Sequence, residues 1–390
     1  MSRALLCVIL IFALAAPALA GPGAAPIPIG VAVATSGNAA FFGEEQVNGA
    51  KIAEAYCNAQ GGVGGVPIQL VIQDTGSDET GAARAFHALI KAQVLGIVGP
   101  TLSQQAFAAD PIANAAKVPV VGPSNTAKGI PQIGEYVSRV SAPMAEVAPQ
   151  SLKKALALHP GIKRAAVLFA NDDAYSKSES EVFQAALVSL GLDTVGIMGF
   201  GIKDTSFRPQ VAAVLSSKAD VVVISGLAKD SSHLVRQLRQ DGYAGLIVGG
   251  NGLNTPNAFP LCGPACDGIL VSQAYNPQAD FPLNREFVRR FQEAYNKAPA
   301  QFSAQAFTAV LVLVEALRKV EQDSGRKIGA MDLAEARTAA NKALHSGATF
   351  QTPLGEIAIT PEGEVRQLQF SVVTIKMNPD GKTGAFVPLP

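Results

Sequence analysis

The most restrictive feature of the sequence is a regular alternation between short apolar segments and longer segments with apolar residues at helical spacing. Apolar runs of about four to eight residues between helices are typical of parallel β-strands that are covered on both faces. The alternation is present on both sides of Pro143. The sequence therefore predicts an α/β protein built on two parallel sheets.

The predicted elements form two series and a different carboxyl-terminal part. In the first series, strands cover residues 28–34, 67–73, 95–98 and 118–121, and helices cover residues 43–60, 78–93 and 103–117. In the second series, a helix runs from Pro143 to residue 158, strands cover residues 164–170, 195–200, 220–225, 246–249 and 268–271, and helices cover residues 176–190, 207–217 and 229–241. Three helices then follow without an intervening strand, at residues 284–296, 302–321 and 331–344. The tail from Gly355 alternates like antiparallel strands around a turn at residues 360–363.

The two series predict two doubly wound, Rossmann-like lobes joined by a hinge, because short right-handed connections leave few other arrangements. We expect one lobe at residues 27–141 plus 274–369, and the other at residues 142–273 plus 370–390. Sheets of this kind bind ligands at the carboxyl ends of their strands, where the strand order reverses. The predicted ligand site is therefore the cleft between the lobes, which hinge closure would bury.

Residues 1–20 have the layout of a secretory signal peptide. Arg3 gives a positive start, an apolar run covers residues 5–16, and Ala18-Leu19-Ala20 forms a cleavage signal. We expect cleavage after Ala20 and export to the periplasm, and a retained amino-terminal anchor is the alternative. Beyond this segment, the sequence has no apolar stretch of about 18 residues or more, the length that a membrane-spanning helix needs.

Export changes the interpretation of the cysteines. Cys262 and Cys266 flank a short turn that can bring their thiols together in an oxidising compartment, so we predict a disulfide; unpaired thiols in a loop are the alternative. Cys57 lies in a helical pattern and is expected to be a small buried residue.

Composition and missing motifs exclude several functional classes. Lys plus Arg and Asp plus Glu each number 31, so the chain lacks the basic excess of a nucleic-acid-binding protein. The four histidines are scattered, and G-x-S-x-G, H-E-x-x-H and Walker patterns are absent. We therefore expect no metal site, no cofactor and no catalytic residues, although an exported enzyme stays open as an alternative.

Two loops of the first series carry the residues most suited to binding an anion. Thr101 and Ser103 follow one predicted strand, and Ser124, Asn125 and Thr126 follow the next. Ser103 stands where a helix starts and can cap it, and free backbone N–H groups at such a start bind carboxylates. Ordinary capping and turn chemistry would also explain either loop.

Three residues in loops of the second series face the same predicted cleft. Tyr175 offers a ring face and a hydroxyl, Leu227 an apolar wall, and Asn251 an amide that can both donate and accept. Each of them could equally be an ordinary loop residue.

Several short motifs occur in a characteristic order along nearly the whole chain after residue 20. They are Ser36-Gly37, Phe41-Phe42-Gly43, Gly49-Ala50, Gly61-Gly62 and the segments 99–103, 123–126, 172–175, 226–236 and 302–307. In this order and spacing the chain resembles the periplasmic branched-chain amino-acid binding proteins, which serve ATP-driven (ABC) importers.

The resemblance implies a type I periplasmic-binding-protein fold and two partners, a small-molecule ligand and the membrane subunits of an ABC permease. It assigns the ligand carboxylate to Ser103 and Thr126, with the backbone of Ser124 contributing. Tyr175 then belongs to the wall of the second lobe, and Phe42 and Phe302 supply apolar surface. We expect a monomer. A ligand-sensing receptor module of the same fold is the alternative.

One departure from the family pattern concerns the ligand. Amino-acid binders of this family carry an acid at the position that matches Asn251, and often an aromatic residue at the position that matches Leu227. Burying an ammonium without an anionic partner costs several kcal/mol, and Asn251, Asp172 or Asp173 would have to compensate for it. We therefore predict a carboxylate ligand with an apolar or aromatic body and no ammonium, such as an aromatic acid or a 2-oxo acid. A branched-chain or aromatic amino acid is the alternative.

Overall fold

The first sheet consists of five parallel strands in the spatial order 2-1-3-4-5. They are β1 (Ile27–Val33), β2 (Ile68–Asp74), β3 (Ile97–Val98), β4 (Val120–Gly122) and β5 (Val137–Arg139). The strand order reverses between β1 and β3, so the loops that leave these two strands diverge and open a crevice. These strands belong to a computed structural model that describes residues 25–390. The predicted signal peptide lies outside the described residues.

The second sheet has seven strands in the order 15-14-10-9-8-6-7. They are β6 (Arg164–Ala170), β7 (Asp193–Phe200), β8 (Val221–Ser225), β9 (Leu246–Gly249), β10 (Leu270–Gln273), β14 (Ser371–Met377) and β15 (Gly384–Pro388). Strands β6 to β10 are parallel, and β14 and β15 are antiparallel to their neighbours. The order reverses between β6 and β8, which gives this sheet a crevice of its own.

Helices connect the strands. They are α1 (Ala40–Ala59), α2 (Glu79–Lys91), α3 (Ser103–Ala115), α4 (Met144–Leu158), α5 (Ala174–Ser189), α6 (Arg208–Ser217), α7 (Ala228–Gln240), α8 (Phe259–Cys262), α9 (Pro282–Tyr295), α10 (Gln301–Ser324) and α11 (Leu333–Leu344). The alternation that the sequence predicted is confirmed in both series.

The three carboxyl-terminal helices pack on the first sheet through α10, which lies along α1. The two helices approach so closely at Gly49 that a Cβ atom there would stand 1.9 Å from the carbonyl oxygen of Ser303. A small antiparallel sheet follows, made of β11 (Thr349–Thr352), β12 (Gly355–Ile359) and β13 (Val365–Gln367).

The chain passes between the two large sheets three times: after β5, after β10 and between β13 and β14. The predicted lobe boundaries fall in these connections and stay predictions. The first lobe is the part built on the first sheet together with α9 to α11, and the second lobe is the part built on the second sheet.

Strand β5 was missed by the sequence analysis because two of its three residues are polar. Ser138 and Arg139 are nevertheless buried. The Arg139 guanidinium makes a bidentate ion pair with Glu364, at 2.6 and 2.7 Å, and also donates to the carbonyl oxygens of Asn125 and Ala127. The strand therefore depends on partners far away in sequence, which no local pattern indicates.

The cysteines lie where the sequence predicted. Cys262 and Cys266 have Cα atoms 5.6 Å apart, a separation that suits a disulfide, and their sulfur atoms are in bonding contact. The pairing stays a prediction. Cys57 is fully buried in α1, and burial raises the pKa of its thiol to about 12.

Two features relevant to function are not found among residues 25–390. None of their helices has the length and apolarity of a membrane span, and no three His, Cys, Asp or Glu side chains come together as a metal site.

Candidate functional site

The crevice of the first sheet is formed by the loops after β3 and β4, which meet at Ser103. The Ser103 hydroxyl oxygen accepts a 3.3 Å hydrogen bond from the backbone N–H of Ala127. Leu102, and not Ser103, occupies the cap position of α3, and its N–H donates to Gln105 Oε1 at 3.1 Å. The Ser103 hydroxyl hydrogen and the N–H groups of the first turn of α3 are therefore available to an anion in the crevice.

Gln46 links the side chains of these two loops. Its Oε1 accepts from the Thr101 hydroxyl at 2.6 Å, and its Nε2 donates to the Ser124 hydroxyl oxygen at 2.7 Å. The Thr101 oxygen also accepts from Ala34 N–H, and the Ser124 hydroxyl donates to the Thr101 carbonyl at 2.6 Å. Both hydroxyl hydrogens are thus already used within the protein. Thr101 and Ser124 can only accept from a ligand, which leaves Ser103 as the hydroxyl donor among the three.

The second lobe presents Tyr175 at the start of α5. Its hydroxyl donates to Glu179 Oε2 at 2.7 Å and accepts from Gly252 N–H at 2.8 Å. These two bonds turn the polar end of the side chain into the lobe, so that the aromatic ring is the part offered to the cleft.

Glu179 lies fully buried behind Tyr175. Its carboxyl group accepts from the Ser225 hydroxyl at 2.6 Å and from Asn251 N–H at 2.8 Å, in addition to Tyr175. Burial raises the pKa of Glu179 to about 7, and these hydrogen bonds oppose the shift. The group positions Tyr175 and the Asn251 backbone, but it is not part of the cleft surface.

The side chain of Asn251 is held through one end of its amide. Its Oδ1 accepts from Gln301 Nε2 at 2.7 Å and from Asn254 Nδ2 at 3.0 Å. Its Nδ2 makes no hydrogen bond to any residue between 25 and 390. The amide NH₂ is therefore the group that Asn251 has free for a ligand.

Ten residues from both lobes line a narrow cavity of about 20 Å³ between these two surfaces. They are Phe42, Thr101, Leu102, Ser103, Ser124, Tyr175, Leu227, Asn251, Gly252 and Phe302. None of these lining side chains is an acid, a lysine, an arginine or a histidine. The phenyl rings of Phe42 and Phe302 pack against each other with centroids 4.7 Å apart and form the main apolar wall.

Eight of the ten residues that the sequence predicted for ligand binding line this cavity, and two do not. Asn125 is fully buried, and its Nδ2 donates to the carbonyl oxygen of Pro100 at 3.0 Å, so its side chain points into the loop. Thr126 is buried beside Ser103, and its Oγ1 has no hydrogen-bond partner among residues 25–390. The structure thus leaves the Thr126 hydroxyl free, while the NH₂ group of Asn125 is occupied and its Oδ1 is buried with no partner among residues 25–390.

Asp172 and Asp173, the two acids that would have to compensate for a missing anion, are also engaged elsewhere. Asp172 Oδ1 accepts from Ile202 N–H at 3.0 Å, and Asp173 Oδ2 accepts from the backbone N–H and the hydroxyl of Ser176. Asp173 is the cap of α5. Neither of them lines the cavity.

The lobes are in contact with each other around the cavity. Thr255 and Asn257 of the second lobe donate to Glu45 Oε1 of the first lobe, at 2.6 and 3.3 Å. On another side, Lys128 N–H donates to the Ser178 hydroxyl oxygen at 3.0 Å. Tyr175 and Leu227 share one buried apolar cluster with Phe42. The structure is therefore a closed form of the cleft.

Comparison with known proteins identifies what kind of protein carries this cleft. The sequence matches the family described as Periplasmic binding protein over residues 26–382. The chain belongs to the periplasmic binding protein family. Its fold is the type I periplasmic-binding fold with two lobes, which confirms the fold class that the sequence predicted.

Similar proteins place this periplasmic binding protein among the substrate-binding proteins of ABC transporters that resemble leucine-binding proteins. It is 25% identical to a Leu/Ile/Val-binding protein homolog of Brucella melitensis over 353 residues, which cover 89% of this chain and 91% of the relative. A leucine-binding protein of Thermotoga maritima has 28% identity and a TM-score of 0.80, over 92% of this chain and 97% of that one. A solute-binding protein from R. palustris, solved with benzoate, has 23% identity and a TM-score of 0.79, over 94% and 96% of the two chains.

The sequence analysis missed three polar residues of this periplasmic binding protein's site: Gln46, Glu179 and Gln301. The sequence spacing of the first two could have indicated them. Gln46 stands four residues after Phe42 on α1, and Glu179 stands four residues after Tyr175 on α5. Residues four apart share one face of a helix, so each could have been found from its predicted neighbour. Gln301 directly precedes Phe302 at the start of α10, but its bond to Asn251 depends on how the lobes meet.

Proposed function

We propose that this periplasmic binding protein captures a small carboxylate with an apolar or aromatic body, an aromatic acid or a 2-oxo acid, and delivers it to an ABC permease. Ser103 and the first turn of α3 bind the carboxylate. Phe42, Phe302 and Leu227 contact the apolar body. The Asn251 NH₂ donates to an acceptor on the ligand, such as a 2-oxo oxygen, and closure of the lobes buries the complex.

The observation that carries this proposal is the uncharged cavity lining. An α-ammonium in this cavity would be desolvated without an anionic partner, at a cost of several kcal/mol. A carboxylate does not pay the same cost, because a hydroxyl and the N–H groups at a helix N-terminus stabilise it without a fixed positive charge. The charge distribution therefore favours an acid over an amino acid.

The cavity is narrow in this closed form. Its volume of about 20 Å³ has room for roughly one water molecule, so the lobes must separate to admit a ligand, and the cavity size does not distinguish between the candidate ligands. The benzoate complex of the similar R. palustris protein indicates that this fold accommodates a single-ring acid.

A branched-chain or aromatic amino acid is the second candidate. It is favoured by the similarity to proteins named for leucine, isoleucine and valine. In that case the Thr101 and Ser124 hydroxyl oxygens, which can still accept, would have to hold the ammonium. Two neutral acceptors compensate less well than a carboxylate would.

Matched ligand pairs test the proposal. The shift in melting temperature is measured with phenylpyruvate against phenylalanine, with the keto acid of leucine against leucine, and with benzoate. We expect stabilisation by at least one of the acids and little by the amino acids. Stabilisation by phenylalanine or leucine with no response to the acids would reject it.

A further inference from the structure

The amide of Asn251 has only one orientation that satisfies its neighbours, and backbone groups fix that orientation. Gln301 Oε1 accepts from the backbone N–H of Ala274 at 2.8 Å. A backbone N–H can only donate, so the other end of Gln301, its NH₂, must face Asn251. Asn254 Nδ2 donates to the backbone carbonyl of Ser272 at 2.7 Å and is fixed in the same way.

Two NH₂ groups therefore point at the same atom of Asn251. If the Asn251 amide were rotated by half a turn, its own NH₂ would meet both of them, and three donors would face each other in a buried place. Gln301 and Asn254 are at most 3% exposed, so water cannot relieve the conflict. Asn251 Oδ1 consequently stays on Gln301, and Nδ2 stays on the cavity side.

We propose that Gln301 is a specificity-positioning residue of this site: it holds the Asn251 amide so that a donor, and never an acceptor, faces the ligand. The inference rests on the proposed function for the identity of the ligands it separates. It extends that function because it makes Gln301, which need not touch that part of the ligand, responsible for selecting a ligand with an oxo group over one with an ammonium group. Gln301 also contacts Ala274, where the chain crosses between the lobes, so the same residue joins the recognition group to the hinge.

A side chain at position 301 that accepts a hydrogen bond from Asn251, instead of donating one, should rotate the Asn251 amide by half a turn. The test variant is Gln301→Glu combined with Asn254→Ala, and Asn254→Ala alone is the matched control. The carboxylate introduced at position 301 can accept from Ala274 N–H and from Asn251 Nδ2, which turns Asn251 Oδ1 toward the cavity. Asn254→Ala removes the remaining donor that would oppose this rotation.

Isothermal titration calorimetry with phenylpyruvate and phenylalanine gives the readout. Relative to the control, we expect the ratio of the two dissociation constants to move at least tenfold toward phenylalanine in the double variant. Gln301→Met in the same background, which cannot bond to Asn251, should weaken phenylpyruvate without a gain for phenylalanine. An unchanged ratio in the double variant would overturn the inference, because simple damage to the site weakens both ligands together.

A second measurement does not need the ligand and separates this inference from the proposed function. In ¹⁵N NMR spectra of the ligand-free protein with its lobes closed as in this structure, the side-chain NH₂ hydrogens of Gln301 should exchange slowly with water and those of Asn251 quickly. Slow exchange at Asn251 with fast exchange at Gln301 would overturn the inference. If none of the acids named above binds the unaltered protein, the proposed function fails while this exchange pattern still decides the role of Gln301.

Discussion

The Thr255 hydroxyl donates a 2.6 Å hydrogen bond to Glu45 Oε1 across the boundary between the two lobes. The second carboxyl oxygen of Glu45 is buried with no partner among residues 25–390. Burial raises the pKa of Glu45 from its ordinary value of 4.5 to about 8; Thr255 and the attraction of Lys297 oppose this shift, and the neighbouring Glu44 adds to it. Because residues of the second lobe cover Glu45, opening the lobes would return the carboxyl to water and lower its pKa.

Ligand affinity should therefore fall as the pH rises. The closed form binds the Glu45 proton more tightly than the open form, so closure takes up a proton between pH 4.5 and pH 8. A raised pKa means that the closed form is favoured below this window and loses stability through it. We expect the dissociation constant for the ligand to increase by up to about tenfold per pH unit in this range, as measured by calorimetry from pH 5 to pH 9.

The control for this prediction is a pair of neighbouring substitutions. Glu45→Gln imitates the protonated carboxyl and should remove most of the slope, while Glu44→Gln, at a side chain 59% exposed, should keep it. Glu179 also has a raised pKa, but its hydrogen-bond partners Tyr175, Ser225 and Asn251 all lie in the second lobe, so opening the lobes does not break those bonds. If Glu45→Gln retains the slope of the unaltered protein, Glu45 does not couple closure to pH.

Asn251→Asp should create an amino-acid site. One carboxylate oxygen would keep the hydrogen bonds from Gln301 and Asn254, and the other would face the cavity and supply the missing anion. We expect phenylalanine to bind at least about tenfold more tightly and phenylpyruvate at least about tenfold more weakly, which is about 1.4 kcal/mol each. The charge-matched control is Asn171→Asp at an exposed position of the same lobe, for which neither dissociation constant should change.

Gln46→Leu should weaken ligand binding and folding together. It removes the acceptor of the Thr101 hydroxyl hydrogen and the donor to the Ser124 hydroxyl oxygen, and a buried donor left unpaired costs about 1–3 kcal/mol. Denaturant unfolding and calorimetry measure the two effects. Ser138→Ala removes a comparable buried hydrogen bond in the same lobe, from the Ser138 hydroxyl to the Val120 carbonyl, away from the cavity. That variant should lose stability with little loss of affinity, and equal losses of affinity in both variants would count against a positioning role for Gln46.

Gly49→Ala should destabilise the first lobe, because the added methyl group would stand 1.9 Å from the Ser303 carbonyl oxygen and force α1 away from α10. Overpacking of this kind typically costs about 1–3 kcal/mol. Gly329→Ala is the matched control, since a Cβ there meets nothing within 4 Å. Thermal unfolding should separate the two variants, and equal melting temperatures would show that the contact between the helices is not tight.

The order of most strands and helices could be predicted from the sequence because most of the parallel strands contain an apolar run, whereas β5, with two polar residues out of three, was missed. The loops that follow β3, β4, β6, β8 and β9 could be predicted for the same reason, and they carry most of the cavity residues. What could not be predicted is how the polar groups are paired. Asn125 and Ser124 are neighbours in one loop, yet the NH₂ group of Asn125 donates to the carbonyl oxygen of Pro100 and Ser124 reaches the cavity. Only the folded backbone decides between them.

The identity of the natural ligand tests the central claim most directly. The purified protein is denatured without prior exchange of its ligand, and mass spectrometry identifies the small molecule that is released. An aromatic or 2-oxo carboxylic acid without an amine is the result that an uncharged cavity with a donor at Asn251 predicts. Release of leucine, phenylalanine or another amino acid in an amount close to one per protein would contradict it.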